Sequence, residues 1–536
     1  MIGQLLDLFD FLSVLLRGGA LVFQSLTLGG AVFGLWVLKD PALHNLGRDA
    51  LEICRRLLCW SGAILGFIHL CTLAMRAAIL ADTAELGLEQ IVGASFFFAG
   101  AAGVLTSTAI VALTLRPSRS PGWYVLALSI AGLAVLVATS HAAGRLEHRL
   151  TLCALTALHQ AATAVWIGGM PYLVAALARS PNPNFARRIC YRFSCLAAIS
   201  VGTLAASGTM MSLTYVGAVD AIYGTSYGIM ILGKAAMLGA LLLLGAVNFS
   251  VIHRRPGAAG RLLSGVRRFA EAEVGIGFTV ILAAASLTSQ PPAVDLVASG
   301  RVSGREIIGR LRPLPPRLAT PQLSALSPAT ALTADAPSRD KPAKSESPDD
   351  IAWSEYNHHW AGLVVLTVGL LAILSRSGIA RWARHWPLGF LGLAVFLFLR
   401  ADPENWPLGP RGFWESFAVV EVLQHRLFVL MIVTFTVFEW RVQTGRLTSQ
   451  GARLVFPLVC AIGGALLVTH AHSLGNPKEE FLAELSHLPL AILAVFAGWS
   501  RWLEVRLAND RQKIPAYIWP ICFTLIGLVL LNYREA

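Results

Sequence analysis

The residues of this chain best suited to chemistry are its thirteen histidines. Imidazole is the commonest metal ligand and suits copper, zinc and iron. Nine of them, His141, His148, His159, His358, His359, His425, His470, His472 and His487, fall at or near the ends of apolar runs. Glu421 and His425 are four residues apart, so one helix face carries both. His470 and His472 are two apart, a spacing that suits closure on one ion at a fraying helix end, and His487 opens the next apolar run. The spacing therefore predicts a ligand set of His425, His470, His472 and His487, with His359 or Glu421 in reserve. His141 and His159 form the core of a second predicted site, with Trp166 on the face of His159. For any single histidine the plain alternative is an imidazole that tolerates the membrane interface, and His148 and His358 fit it best.

A second group of residues suggests a route. His69 lies near the middle of an apolar run, where an ionisable side chain is costly and usually has a role. Thiols and thioethers select cuprous ions, so Cys195, Met210 and Met211 mark an inward path for a soft metal. Lys234 and Glu273 are either pathway residues or charges that snorkel to the interface. Methionine on a packing face is the commoner case, and Arg17 and Lys234 read more readily as structural. The eight cysteines include no C-x-x-C pair, which argues against a disulfide framework, a zinc ribbon or a thioredoxin-like site.

The elements that must position these residues follow from composition. The chain has 536 residues, 55% of them hydrophobic and 14% charged, and a mean hydropathy of +0.62. Apolar runs long enough to cross a hydrocarbon core recur throughout, and backbone in lipid must satisfy itself, so the runs are helices. The expected fold is all-α, a polytopic transmembrane bundle of about fourteen spans. The spans are read at 11–37, 57–80, 91–115, 122–140, 151–178, 189–215, 228–252 and 272–290, then 360–376, 383–400, 419–438, 452–470, 484–500 and 514–533. Residues 1–290 form an eight-span membrane domain, 291–357 a Pro/Ser-rich linker with little core of its own, and 358–536 a six-span, His-rich membrane domain. Met1 to Asp10 lacks a basic n-region and a small-residue cleavage site, so the first span reads as retained.

Arginine counts orient the bundle. Arg55–Arg56, Arg116–Arg119, Arg187–Arg188, Arg254–Arg255, Arg376–Arg384, Arg441–Arg446 and Arg501–Lys513 all fall in alternate connections, and these are cytoplasmic by the positive-inside rule. Both termini, the linker and most histidines are then periplasmic. The net charge of +12 lies in these short loops rather than on one basic face, which argues against a nucleic-acid partner. An internal echo pairs Thr139-Ser140-His141 with Thr469-His470-Ala471-His472, and Leu158-His159 with Ser486-His487, as a parallel repeat eight spans apart would.

Further residues carry a family resemblance. His159 with Trp166-Ile167-Gly168-Gly169, then Arg192-Phe193-Ser194, Tyr227-Gly228, Lys234, Asn248, Glu273 and Ser289-Gln290-Pro291-Pro292, together resemble the bacterial copper resistance protein D (CopD) family over about residues 120–292. The resemblance implies an inner-membrane protein of copper handling that works with a small periplasmic copper-binding partner, CopC, and moves copper inward. The chain departs from the family pattern in its long extension, which holds the densest histidine cluster, and its linker has no Met-rich or His-rich stretch.

The expected function is therefore copper binding at the periplasmic face with transfer into or across the membrane, in lipid and without catalysis. No G-x-x-x-x-G-K-[ST] loop is present, so no nucleotide motor is expected. Two alternatives stay open, a haem-binding electron-transfer protein held by paired histidines and a scaffold that delivers copper for oxidase assembly.

Overall fold

The computed structural model describes residues 8–39, 48–84, 86–116, 122–179, 182–254, 260–297, 300–321, 348–469, 477–507 and 512–535. Among them the fold is all-α, with one isolated β-bridge, Asn405 to Arg411, and no strand. Twelve helices are long and apolar enough to cross a membrane. Two shorter apolar helices, Gly122–Ala138 and Pro387–Arg400, occupy the fourth and tenth apolar runs of the sequence. At 17 and 14 residues they measure about 25 and 21 Å, short of a hydrocarbon core of about 30 Å.

In chain order the helices of eight residues or more are α1 (Phe9–Val32), α2 (Arg48–Thr83), α3 (Ser95–Leu115), α4 (Gly122–Ala138), α5 (Arg149–Arg179), α6 (Pro183–Val216), α7 (Ser226–Arg254) and α8 (Gly260–Leu287). They continue with α9 (Gly304–Leu311), α10 (Pro348–Ser377), α11 (Pro387–Arg400), α12 (Val420–Gln443), α13 (Gln450–Val468), α14 (Pro477–Arg506) and α15 (Lys513–Leu531). The chain divides into two compact units, one of residues 1–217 with 234–290, the other of residues 218–233 with 291–536.

The first unit is built around α1, which packs against α2, α4, α5 and α8. Two stretches in it open into wider π-helical turns, Phe33–Leu38 after α1 and Ala164–Gly168 within α5. Such turns leave backbone groups out of the α ladder and are often found where a helix is shaped for a purpose. Here the second one lets α5 cross α1 at glycine. A Cβ on Gly168 would run into the Ser25 carbonyl oxygen, and one on Gly29 would meet the backbone of Ala164 and Gly168. Small residues at a crossing let two helices approach in lipid, where packing has to replace the hydrophobic drive. Phe33 fills the space beside the crossing, with its ring 6.2 Å from that of Tyr172 and 6.0 Å from that of Phe193.

The second unit centres on an aromatic cluster. Trp386, Phe390, Phe435, Phe456, Trp519 and Phe523 are all buried, with Phe390 and Phe435 centred 5.1 Å apart and edge-on. Beside this cluster lies a buried ionic network. Arg501 on α14 binds Glu439 on α12 at 2.8 Å and Glu504 one turn along at 2.7 Å. Glu504 also binds Arg376 on α10 and accepts a hydrogen bond from Trp519 Nε1 on α15 at 2.7 Å. Four helices are thereby tied at one end by two guanidiniums and two carboxylates, so the network is neutral as a whole.

The segment 291–357, read as a linker with little core of its own, bonds to other parts of this unit where it is described. The Val302 amide donates to the Gly224 carbonyl at 2.9 Å, and the Arg317 amide donates to His359 at 2.8 Å. A capping box of Ser303 with Glu306 starts α9. Proline and serine content does not reveal these bonds, because their partners lie dozens of residues away.

Replacing Gly168 by valine is expected to lower the stability of the detergent-purified protein by about 3 kcal/mol, as overpacking against backbone does. Gly202→Ala, where a Cβ meets open space, leaves the thermal midpoint unchanged or raised. Arg501→Met is expected to cost about 3–5 kcal/mol because it leaves the buried Glu439 carboxylate without its guanidinium. The double variant with Glu439→Met costs less than the sum of the two single changes, read in the same melts.

Candidate metal centre

Three imidazoles of the second unit come together from three helices. His358 sits in the first half of α10, His425 near the start of α12 and His487 in the first third of α14. The rings of His358 and His487 are 6.1 Å apart and edge-on. His425 lies near enough to act electrostatically on both.

Their hydrogen bonds determine which ring nitrogen carries the proton. His358 Nδ1 faces the Ser354 carbonyl at 2.9 Å, His487 Nδ1 the Ala483 carbonyl at 2.9 Å, and His425 Nδ1 the Asp402 carboxylate at 2.8 Å. These partners are acceptors, so each Nδ1–H donates and each neutral ring keeps its lone pair on Nε2. An imidazole held by a carbonyl or carboxylate through one nitrogen is the usual arrangement of a metal ligand, since the second partner fixes tautomer and orientation. Among the described residues, no group of three His, Cys, Asp or Glu side chains is arranged so that it could hold a metal ion. The rings of His358 and His487 are neighbours, and His425 is within electrostatic range of both. His470 and His472 lie outside the described residues, in the connection from α13 to α14. Glu421 is exposed one turn before His425 and acts on it electrostatically.

His359, the reserve ligand, is bound differently. It is fully buried; its Nδ1 accepts from the Arg317 amide at 2.8 Å, and its Nε2 donates to the Tyr533 carbonyl at 3.0 Å. Both nitrogens are engaged by backbone, so in this arrangement no lone pair is left for a metal. His359 instead fastens residues 532–535 over the histidines. Tyr533 stacks on His358 with ring centres 3.7 Å apart and donates its hydroxyl to Glu535 at 2.7 Å. Ser354 also donates to Glu535, and Arg310 donates to the Arg534 carbonyl at 2.6 Å.

In the first unit the two predicted ligands have different partners. His141 Nε2 bonds the Thr288 carbonyl at the end of α8. His159 on α5 bonds Ser207 Oγ on α6 at 3.2 Å. Ser207 gives its own proton to the Thr203 carbonyl at 2.7 Å, so it accepts from His159 Nδ1–H, and the lone pair again falls on Nε2. Gly208 makes room for the ring. One turn back on α5, Thr156 donates to Met211 Sδ at 3.6 Å, which places a thioether on the same α5–α6 seam as His159. Lys234 is close enough to act on His159 electrostatically. Met210 and Cys195 are exposed on α6 and turn away from the seam. His69 is buried against Gly103 of α3. Glu273 is buried on α8 and bound by Asn248 of α7 at 2.7 Å.

Sequence reasoning passed over His358, Asp402 and Ser207. For His358 there was a local signal, because Ser354 precedes it by four residues and offers a carbonyl one turn away. Asp402 gave none, since it lies in an irregular connection 23 residues before its partner. The residues that carried the family resemblance are largely scaffold. Trp166 and Gly168 belong to the crossing, Arg192 donates to the Trp36 carbonyl at 2.8 Å, and Phe193 packs on Phe33.

Burial raises the Glu535 carboxyl, but hydrogen bonds from Ser354 and Tyr533, then the charges of His358 and His487, pull it below the ordinary range. A lowered value stabilises docking above the unfolded value, and that stabilisation is lost as pH falls through the folded one. Hydrogen-exchange protection of residues 532–535 is therefore expected to hold at neutral pH and fall below about pH 4.3. In Glu535→Gln it is expected to be weaker and flat over the same interval.

Residues 187–287, from early α6 to the end of α8, match the family described as Copper resistance protein D. The chain is also similar to Copper transport protein CutJ of Bacillus subtilis (strain 168), 27% identical over 284 residues. That similarity covers 50% of each chain, so this protein matches about half the length of its curated relative. No solved structure matches. The family segment contains Cys195, Ser207, Met210, Met211, Lys234, Asn248 and Glu273 and stops short of His159. Through α6 to α8, this multi-pass membrane protein is similar to the copper resistance protein D family.

Proposed function

We propose that the chain takes up copper at the periplasmic face of a bacterial inner membrane and transfers it into or across that membrane, without catalysing a reaction. In this reading the two short helices α4 and α11 also span, giving fourteen crossings with both termini outside. The observation that carries the proposal is the triad His358, His425 and His487, each with Nδ1 held by an oxygen acceptor and its lone pair on Nε2. The match of α6 to α8 to the copper resistance protein D family supports copper as the cargo, since imidazole alone also suits zinc and iron.

The two ends of the second unit differ in a way that supports the direction of entry. On α10, α12 and α14 the histidines lie toward the start and the arginine–carboxylate network toward the finish. Eighteen residues separate His358 from Arg376, about 27 Å along a helix and so close to the thickness of the hydrocarbon core. The positive-inside rule assigns the arginine end to the cytoplasm and therefore the histidine end to the periplasm. A small periplasmic copper-binding protein of the CopC kind would deliver to that end. His470 and His472 adjoin it in the chain and would complete the ligand set. His159 and Met211 offer a nitrogen and a soft sulfur on one helix seam, suited to receiving a cuprous ion. Nothing in the geometry favours haem.

Detergent-purified protein is expected to hold stoichiometric copper without a haem absorption band. The triple variant His358→Ala/His425→Ala/His487→Ala is expected to lose one copper per chain. Asp402→Asn is expected to weaken copper binding about 10- to 100-fold, as removal of a partner behind a ligating histidine does. Copper content equal to that of the parent in the triple variant would remove the site. Proteoliposomes that accumulate no copper would remove the transfer step.

A further inference from the structure

Glu273 is 2% exposed and Asn248 is 8% exposed, both within membrane-spanning helices of the first unit. Glu273 stands nine residues into the span Ser264–Leu287, about 14 Å from its start. Asn248 Nδ2 donates to one carboxyl oxygen at 2.7 Å. The other oxygen faces Gly245, one turn back on α7, where a Cβ would come to 3.6 Å. Asn248 Oδ1 is buried and has no hydrogen-bond partner.

Charged groups elsewhere make the contrast. Glu439 and Glu504 bind guanidiniums, and on the same helix as Glu273 the neighbouring Glu271 binds Arg267 and Arg268. Among the described residues the side chain bonded to Glu273 is the neutral amide of Asn248, and no ion pair joins it to Arg17 of α1, Arg192 of α6 or Lys234 of α7. A bare carboxylate in such a place is prohibitively costly, so the group takes up a proton instead. The loaded carboxyl then has an O–H to donate, and the same Asn248 amide that bonds it carries a buried oxygen without a partner.

We propose that Glu273 and Asn248 form an intramembrane proton-binding site, loaded at rest and discharged when a metal cation passes through the first unit. On discharge the O–H bond breaks heterolytically, the proton leaves to water, and the electron pair stays on the carboxylate. The carboxylate then balances one positive charge of the arriving ion. When the ion departs, a proton from water restores the neutral acid. The exchange limits the charge carried at this depth and needs no nucleotide. Its second half rests on the copper reading above, while the proton site stands by itself.

Infrared difference spectra of the full chain, recorded without metal across a pH titration, test the site. A protonated carboxylic-acid band is expected at pH 7, lost in the isosteric Glu273→Gln and shifted in Asn248→Leu. A parent spectrum at pH 7 identical to that of Glu273→Gln would overturn the site. Proteoliposomes loaded with a pH-sensitive dye and given copper then test the exchange. Proton movement in step with copper in the parent, and absent in Glu273→Gln, is expected. Copper movement without proton movement in the parent would overturn the exchange. Absence of copper movement in the parent would instead count against the copper reading, leaving the infrared result to decide the proton site.

Discussion

Arg501 occupies a position that hydrocarbon would not tolerate on its own. Its guanidinium is almost wholly buried, and it is held there by Glu439 and Glu504 with the face of Trp519 5.6 Å away. Each of these groups belongs to a different turn or helix, so the ionic requirement is also a packing requirement. α10, α12, α14 and α15 must meet at this depth, or a bare charge is left in a medium that cannot solvate it. The aromatic cluster fills the space the network leaves, and Arg376 lies 5.5 Å over the same Trp519 ring. The other end of these helices is thereby positioned as well. Rigid helices tied at one end carry His358, His425 and His487 to a common neighbourhood at the other.

The first unit solves the same problem with few charges. Its central crossing joins backbone to backbone through Gly29 and Gly168, and the π-helical turn at Ala164–Gly168 supplies the shape. Several polar side chains inside it donate to carbonyls, as when Gln24 Nε2 donates to the Ser129 carbonyl at 2.6 Å. Close packing of this kind holds α5 against α6, which is what places His159 beside Ser207 and Met211. Glu273 stands out against this background because its partner is a neutral amide where comparable carboxylates have a guanidinium.

The part an imidazole can play in this protein depends on its hydrogen-bond partners more than on histidine count. His358 and His359 are adjacent in sequence and have opposite fates. His358 gives Nδ1–H to a carbonyl one turn back, which is a local bond of the helix itself. His359 receives an amide from residue 317 and gives its other proton to residue 533, which turns an imidazole into a strut. The neutral ring has one donor and one acceptor, so its role is decided by which of these the backbone uses up.

Much of the architecture was legible in sequence because hydropathy is a local quantity. A run of apolar residues of membrane length becomes a helix whatever it packs against, since its backbone has no other way to satisfy itself in lipid. Every apolar run read from the sequence is a helix, and only the two short ones fall below spanning length. The likeness to the copper resistance protein D family was also readable, because it lies in residue types at fixed spacings. The tertiary structure alone decided the tautomers, the strap of residues 532–535, the pairing of Asp402 with His425 and the Arg501 network. These depend on partners tens to hundreds of residues away with no shared periodicity. Sequence placed the imidazoles near helix ends, and the fold decided which ring nitrogen of His358, His359 and His425 meets which partner.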